Sequence, residues 1–96
     1  PTAILCFGDM MAIGAMHALR ELDFAIPEDI SVIGIDDIVF AQYCYPPLTS
    51  VAQPLNLIGE TCANTLIDII EGRQPEKLLN IMDHTLMERG STKPPK

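Results

Sequence analysis

At 96 residues the chain is long enough for one small domain at most, burying roughly two-thirds of its unfolded surface. Its composition, 48% hydrophobic and 20% charged, is globular and excludes a disordered segment. A net charge of -7 with only six lysines and arginines argues against nucleic-acid binding by these residues, and no apolar run approaches the roughly 20 residues of a membrane helix.

The first half of the chain predicts a strand, a helix and a second strand. The apolar run "AILCF" (3–7) is typical of a strand covered on both faces, and "ISVIGI" (30–35) predicts another buried strand. A helix is predicted from Asp9, acting as N-cap, to about Leu22. Strands joined by one helix should run parallel, which indicates an α/β fold with a parallel sheet. The helix positions predicted to face this sheet are Ala12, Met16 and Leu19, with Ala15 and Leu22 beside them.

The second half predicts a turn, one long helix and a closing segment. The Pro46–Pro47 pair excludes helix, and "LTSVA" after it can be a short extended segment. A helix is then predicted from about Leu55 to Glu71, with Pro54 at its first position and Gly72 as its stop. Its apolar stripe is Leu55, Ile58, Cys62, Leu66 and Ile69. The segments "KLLNIM" and "HTLMERG" indicate one or two closing strands.

Carboxylates follow both strands of the first half. Ligands bind at the carboxyl ends of the strands in open parallel sheets, so these acids are candidates for a site. Helix capping accounts for Asp9, and a turn or cap accounts for Asp37. For Asp36, at the strand terminus itself, the residue pattern alone leaves a ligand contact and a structural role equally open.

Enzymatic sites have little support in the sequence. Paired acids at a strand end also suit a metal-dependent phosphoryl site of the receiver or phosphatase type. Such a site needs a further acid and a lysine near the last strand, and no suitable lysine follows "NIMDH" or "MERGST". Phosphate-loop, dinucleotide-binding and nucleophile-elbow motifs are also missing from the sequence. We expect no catalytic residue and no enzyme activity.

The cysteines and histidines do not form a recognisable metal site. Cys6, Cys44 and Cys62 are odd in number and widely spaced, and His17 and His84 have no sulfur or second histidine near them in the sequence. We therefore expect no metal and no cofactor, and reduced thiols in a cytoplasmic protein. The opening "PTAILCFG" enters a strand directly and indicates an internal segment of a longer chain.

Three segments together resemble a known family. The residues "CFGDMMAIGAMHALRELDFAIPEDISVIGIDDI", "YPPLTSVAQPLNLIGE" and "MERGST" are similar to the C-terminal part of a lactose/galactose-repressor family transcription regulator. The resemblance implies a periplasmic-binding-protein-like fold of type I, in which two α/β subdomains close over a small effector. Residues 1–45 would belong to the C-terminal subdomain, 46–72 to the crossover and a helix of the N-terminal subdomain, and 73–96 to returning strands and a tail.

The resemblance also implies site residues and partners. Asp36 matches an acid that hydrogen-bonds sugar hydroxyls or a base edge, Gln53 a polar crossover position, and Leu55 and Ile58 apolar contacts. Gly8 departs from the asparagine of many sugar-responding members, which puts a simple hexose effector in doubt. The effector would be a sugar, nucleoside or related metabolite, operator DNA would be bound only through a missing N-terminal domain, and no membrane would be involved. With the resemblance, we expect Asp36 to contact the ligand and Asp37 to act as a cap.

A homodimer is expected from an apolar patch as well as from the family. Ile13 shares a helical face with His17 and Arg20, where a monomer would favour polar residues, and Cys44 and Tyr45 follow in an apolar loop. The positions of Ile13, His17, Cys44 and Tyr45 match a subunit-interface region of the repressor family. Scattered surface exposure of single apolar residues is the alternative.

Two classes of protein therefore remain for the whole chain. The first is the effector-binding and dimerisation segment of a DNA-binding transcriptional regulator. The alternative is a fragment of a periplasmic sugar-binding transport protein, which would be a monomer with a secretion signal. The upstream sequence of the parent gene would separate them.

Overall fold

The computed structural model describes residues 1–77 and 79–95 and divides the chain into two compact units. The sheet unit comprises residues 1–53 with 85–96, and the helix unit comprises residues 54–84. The elements are β1 (Ala3–Leu5), α1 (Asp9–Glu21), β2 (Ser31–Ile35), the 3-10 helix η1 (Val39–Tyr43), β3 (Thr49–Ala52), α2 (Leu55–Ile70) and β4 (Thr85–Met87). Neither α1 nor α2, the α-helices of this described part, is long and apolar enough to cross a membrane.

The sheet unit is built on a sheet of order β1-β2-β3-β4. Strands β1, β2 and β3 run parallel, with Leu5 beside Ile33 and Ile35 beside Val51. This confirms the predicted α/β fold with a parallel-dominated sheet. Strand β4 runs antiparallel to β3, so the sheet is mixed at this edge. The closing strand expected in "HTLMERG" is confirmed as β4, whereas residues 79–82 of "KLLNIM" have no regular structure and Leu78 lies outside the described residues.

Helix α1 packs its predicted face into the core of the sheet unit. Ala12 and Met16 are fully buried and Leu19 nearly so, because their spacings of four and three residues place them on one side of the helix. They form one cluster with apolar residues of the strands and loops: Cys6, Ile26, Ile30, Val32, Ala41 and Leu48. Leu22 lies beyond the end of the helix and is 68% exposed, so it does not extend this face as expected.

The outer strand β1 is covered less than predicted. Its side chains alternate between the two faces of the sheet, and Leu5 is 68% exposed while Ile4 packs against the core. The expectation of a strand covered on both faces is therefore wrong for these residues. A continuous apolar run fits a strand with two covered faces, but among the described residues of β1 only Ile4 packs against the core cluster.

The two compact units divide the chain at Gln53 and at Thr85. Thr49–Ala52 forms β3 and pairs with β2, so the sheet unit continues past the Pro46–Pro47 pair to Gln53. The assignment of residues 1–45, 46–72 and 73–96 to parts of two subdomains stays a prediction. A short extended segment next to Pro46 and Pro47 shows nothing locally that distinguishes a sheet strand from a linker.

The helix unit contains α2, and its described residues 71–77 and 79–84 form no helix or strand. Helix α2 runs Leu55–Ile70 with Pro54 as N-cap and Glu71 as C-cap, within one residue of the predicted bounds. Gly72 has a φ of 79°, the left-handed conformation that glycine adopts at helix ends, which confirms it as the stop. No residue within α2 is buried. The helix therefore forms from its local pattern but has an uncovered apolar stripe in the described chain.

Candidate functional site

Three polar or small residues follow the carboxyl ends of the parallel strands. Gly8 comes after β1, Asp36 after β2 and Gln53 after β3, and all three are half-buried. The Gln53 side-chain Nε2 donates to Asp36 Oδ1 at 2.6 Å, and a Cβ added at Gly8 would lie 3.7 Å from Asp36 Oδ2. Because the strands are parallel neighbours, their ends meet at one edge of the sheet. The structure thus brings together three of the predicted site residues.

The Asp36–Gln53 pair offers a defined set of hydrogen-bonding groups. An ionised carboxylate accepts through both oxygens, and a side-chain amide has one acceptor oxygen and two N–H donors. The contact between the pair uses Asp36 Oδ1 and one N–H of Gln53. Asp36 Oδ2 faces Gly8, where no side chain occupies the space. This geometry can accept hydrogen bonds from hydroxyl or amino groups of a small molecule.

The turn that carries Asp36 has unusual backbone angles. Asp36 has a φ of 112° and Asp37 a φ of 54°, and positive φ values are uncommon for residues other than glycine. The Asp36 N–H still donates to Val51 O at 2.9 Å, which extends the pairing of β2 with β3 by one residue. Asp36 therefore begins a sharp turn directly from the sheet.

Asp9 is not the N-cap of α1, and that expectation was wrong. Gly8 occupies the cap position, and no side-chain hydrogen bond caps the helix. The Asp9 carboxylate is instead 1% exposed, accepting from the Ile38 N–H at 2.8 Å and from the Ser50 hydroxyl at 2.7 Å. The sequence favoured a cap because aspartate commonly caps a helix at this position. The actual partners could not be predicted because they lie 29 and 41 residues away in the sequence.

Asp37 occupies a turn, as one of its two expected roles, but its side chain caps nothing. The 3-10 helix η1 begins after Ile38 without a side-chain cap. Asp37 Oδ1 accepts from Arg89 Nη2 at 2.6 Å, with both side chains mostly buried, and Arg89 also donates to Leu48 O at 2.8 Å. Sequence reasoning missed Arg89 and Ser50, because both reach the turn only through the pairing of β3 with its neighbours.

The predicted apolar contacts belong to the other unit. Leu55 and Ile58 lie in the first turns of α2, where Leu55 is 51% exposed and Ile58 is half-buried. Ile58 lines a cavity of about 720 Å³ between one face of α2 and residues 79–84. That cavity is apolar and contains none of Gly8, Asp36 and Gln53. The contact of Leu55 and Ile58 with a ligand stays a prediction.

The predicted interface residues divide into exposed and packed ones. Tyr45 is 85% exposed, and His17 is exposed and lies 3.2 Å from Glu21 on the next turn of α1. Ile13 and Cys44 are half-buried and pack against the core of the sheet unit. Arg20 of α1 donates to the Tyr45 carbonyl, so the helix and the loop are neighbours.

The thiols and the wider set of potential ligands give no metal-binding arrangement. Burial raises the pKa of the Cys44 thiol, against a smaller opposing effect of the Arg20 charge, and burial also raises the pKa of Cys6. Across residues 1–77 and 79–95, no three His, Cys, Asp or Glu side chains are grouped to hold a metal ion.

Comparison with known proteins identifies the domain type. Residues 1–92 match the family model for the periplasmic binding protein-like domain. The HTH-type transcriptional repressor PurR of Vibrio atlanticus (strain LGP32) is 44% identical over 93 residues, which is 97% of this chain but 28% of the repressor. The chain therefore spans less than a third of the length of this curated relative.

Solved structures agree in fold and in sequence. The complex of the transcriptional regulator CelR with cellobiose is 37% identical with a TM-score of 0.86, covering 94% of this chain and 28% of that chain. The lac repressor dimer bound to operator and the anti-inducer ONPF is 37% identical with a TM-score of 0.85, covering 96% of this chain and 32% of that chain.

Proposed function

Since the chain belongs to the periplasmic binding protein-like domain family and its homologues are LacI-family repressors, we propose a role in transcription regulation. In this proposal the chain is the effector-binding and dimerisation segment of a DNA-binding transcriptional regulator. The effector is a sugar, a nucleoside or a related metabolite. Operator DNA is bound only through residues outside this chain. The regulator works in the cytoplasm and catalyses no reaction.

The observation that carries the proposal is the meeting of Gly8, Asp36 and Gln53 at one edge of the sheet. A carboxylate at a strand end is costly to desolvate without a partner, and the hydroxyl or amino groups of a small molecule are suitable partners. Gln53 satisfies one oxygen of Asp36, and the other faces the open space above Gly8. This space takes a ligand that donates hydrogen bonds to Asp36.

The solved relatives support the two partner classes. The CelR structure is a complex with cellobiose, and the lac repressor structure is a dimer bound to operator and an anti-inducer. A sugar-type effector and operator DNA are accordingly the partners we propose for the whole protein. The repressor relatives also favour a regulator over a periplasmic transport protein.

The two units correspond, in this proposal, to parts of two subdomains. The sheet unit belongs to the C-terminal subdomain and α2 to the N-terminal subdomain. Leu55 and Ile58 supply apolar contacts to the effector.

The proposed homodimer uses the exposed side chains of Tyr45 and His17, together with the half-buried Ile13 and Cys44. Support comes from the Arg20 contact that joins α1 to the Tyr45 loop and from the exposure of Tyr45, since tyrosine is enriched among the residues that dominate interface affinity.

A ligand panel on the full-length protein tests the effector site. Cellobiose, galactose, adenosine and cytidine are each added at millimolar concentration, and the melting temperature is recorded. At least one should raise it by about 2 °C or more, because a ligand bound only to the folded state stabilises that state.

Two variants make the panel specific. Asp36→Ala should abolish the shift, whereas Asp29→Ala should retain it, because Asp29 is an exposed loop aspartate whose side chain accepts from the nearby Ala25 N–H. A shift that survives in Asp36→Ala would refute the assigned role of Asp36.

A further inference from the structure

The turn at Asp36 and Asp37 needs an external restraint. Both residues have positive φ, 112° and 54°, a conformation that is unfavourable for residues other than glycine. Such conformations persist where the surrounding structure fixes them. Because Asp36 carries the carboxylate of the candidate site, whatever fixes this turn also fixes the direction of that carboxylate.

Side chains from three separate segments hold the turn. Asp9 Oδ2 accepts the Ile38 N–H at 2.8 Å, and Ser50 Oγ accepts the Asp37 N–H at 2.9 Å. Arg89 Nη2 donates to Asp37 Oδ1 at 2.6 Å. The two amides that follow Asp36 and the Asp37 carboxylate are thereby each bonded to a residue distant in sequence.

Asp9 and Ser50 are also joined to each other. The Ser50 hydroxyl donates to Asp9 Oδ1 at 2.7 Å, and the two residues are 1% and 0% exposed. Each Asp9 oxygen thus has its own donor, and Ser50 Oγ acts as donor and acceptor at once. A fully buried carboxylate is expensive, and its partners here are the turn after β2 and the strand beside it.

We propose that Asp9, Ser50 and Arg89 form a positioning clamp that holds the Asp36–Asp37 turn and so directs the Asp36 carboxylate toward Gln53 and the space above Gly8. Asp9 and Ser50 act through backbone amides of the turn and Arg89 through the Asp37 carboxylate, and none of the three contacts a ligand itself. The consequence for ligand affinity rests on the proposed function, whereas the restraint on the turn does not.

Hydrogen exchange on the full-length protein tests the restraint without any ligand. In Asp9→Ala, the Asp37 and Ile38 amides should both exchange about tenfold faster. The Ile38 amide loses its acceptor, and the Asp37 amide loses the residue that orients its acceptor, Ser50. Asp9→Asn keeps one acceptor oxygen and should restore most of the protection of Ile38. In Asp29→Ala, exchange in this turn should equal that of the wild type.

A second variant covers the case in which Asp9→Ala does not fold. Ser50→Ala removes the acceptor of the Asp37 N–H with little change in volume, and the Asp37 amide should then exchange faster while amides of α2 do not. Unchanged exchange at Asp37 and Ile38 in whichever variants fold would overturn the clamp.

Ligand affinity separates positioning from a purely structural role. Binding of cellobiose and of adenosine is measured by calorimetry for the wild type, Asp9→Ala, Asp36→Asn and the double variant. For a probe that binds, Asp9→Ala should weaken affinity about tenfold alone but less than about threefold in the Asp36→Asn background, because the clamp acts through Asp36.

The remaining outcomes are also decisive. If Asp9→Ala weakens ligand affinity by the same factor in the wild-type and Asp36→Asn backgrounds, Asp9 does not act through Asp36 and the positioning role is overturned. If neither probe binds the wild type, these two compounds are excluded as effectors under the proposed function, while the exchange measurement still decides the clamp.

Discussion

Asp9 shows how one buried carboxylate connects several parts of the fold. It lies in the first turn of α1, where the helix dipole favours negative charge, and it accepts from Ser50 and from the Ile38 N–H. Its position requires a small neighbour: a Cβ added at Gly34 of β2 would overlap Asp9 Oδ1 and come within 3.2 Å of Asp9 Cα. Gly34 is therefore needed for space.

Replacing this glycine should disrupt the buried carboxylate. In Gly34→Ala, the Asp9 side chain must move away from its partners, so we expect the free energy of unfolding to fall by about 1–3 kcal/mol in urea titrations. The matched control is Gly14→Ala in α1, where a Cβ meets no atom within 4 Å. That control should be neutral or stabilise by up to about 1 kcal/mol, since alanine is the better helix residue. Equal effects of the two substitutions would contradict this account.

At the scale of elements, local sequence patterns predicted what depends on local spacing. The face of α1, the bounds of α2 and the stop at Gly72 all follow from residues within a few turns of each other. The pairing of Asp37 with Arg89, 52 residues apart, could not be predicted because it depends on the register of strands that meet only in the folded sheet. At the end of β2, the position of Asp36 at the strand terminus left a ligand contact and a structural role equally open, and the family resemblance decided the prediction in favour of the ligand.

The apolar stripe of α2 was predicted from local spacing, whereas its lack of cover follows from the family resemblance, which places this helix in a subdomain mostly outside the chain. Leu66 and Ile69 of the stripe are 58% and 54% exposed. The chain spans 28% of the PurR relative, so the cover belongs, in our proposal, to the remainder of the protein.

Thiol labelling tests whether the rest of the protein covers the apolar stripe of α2. Cys62 lies on the stripe and is exposed in the described chain. In the isolated chain at submicromolar concentration, iodoacetamide should modify Cys62 rapidly, and in the full-length protein at least about tenfold more slowly. Cys6 should react slowly in both, because burial raises the pKa of its thiol. Equal rates for Cys62 in the two proteins would show that the stripe stays open.

At the scale of the whole molecule, the proposed property is self-association through the loop that carries the exposed Tyr45. Tyr45→Asp would place a charge in the proposed two-fold interface, so the full-length protein should sediment as a monomer at low micromolar concentration. Tyr45→Phe keeps the ring and should remain dimeric. A Tyr45→Asp protein that stays dimeric would remove this residue from the interface.

The isolated chain should not bind operator DNA. Its net charge is -7, and phosphate contacts from lysine and arginine supply most non-specific affinity for DNA. In gel-shift assays at about 150 mM salt, it should give no complex under conditions where the full-length protein does. Submicromolar binding by the isolated chain would require a basic surface that these residues do not provide.

The central claim is that Asp36 senses the effector for the whole regulator. The most direct measurement is operator affinity of the full-length protein, by fluorescence anisotropy, with and without the compound that stabilises it most in the ligand panel. We predict that Asp36→Ala binds operator within about threefold of the wild type but no longer changes affinity when the compound is added. An Asp36→Ala protein that responds to the compound as the wild type does would contradict the account.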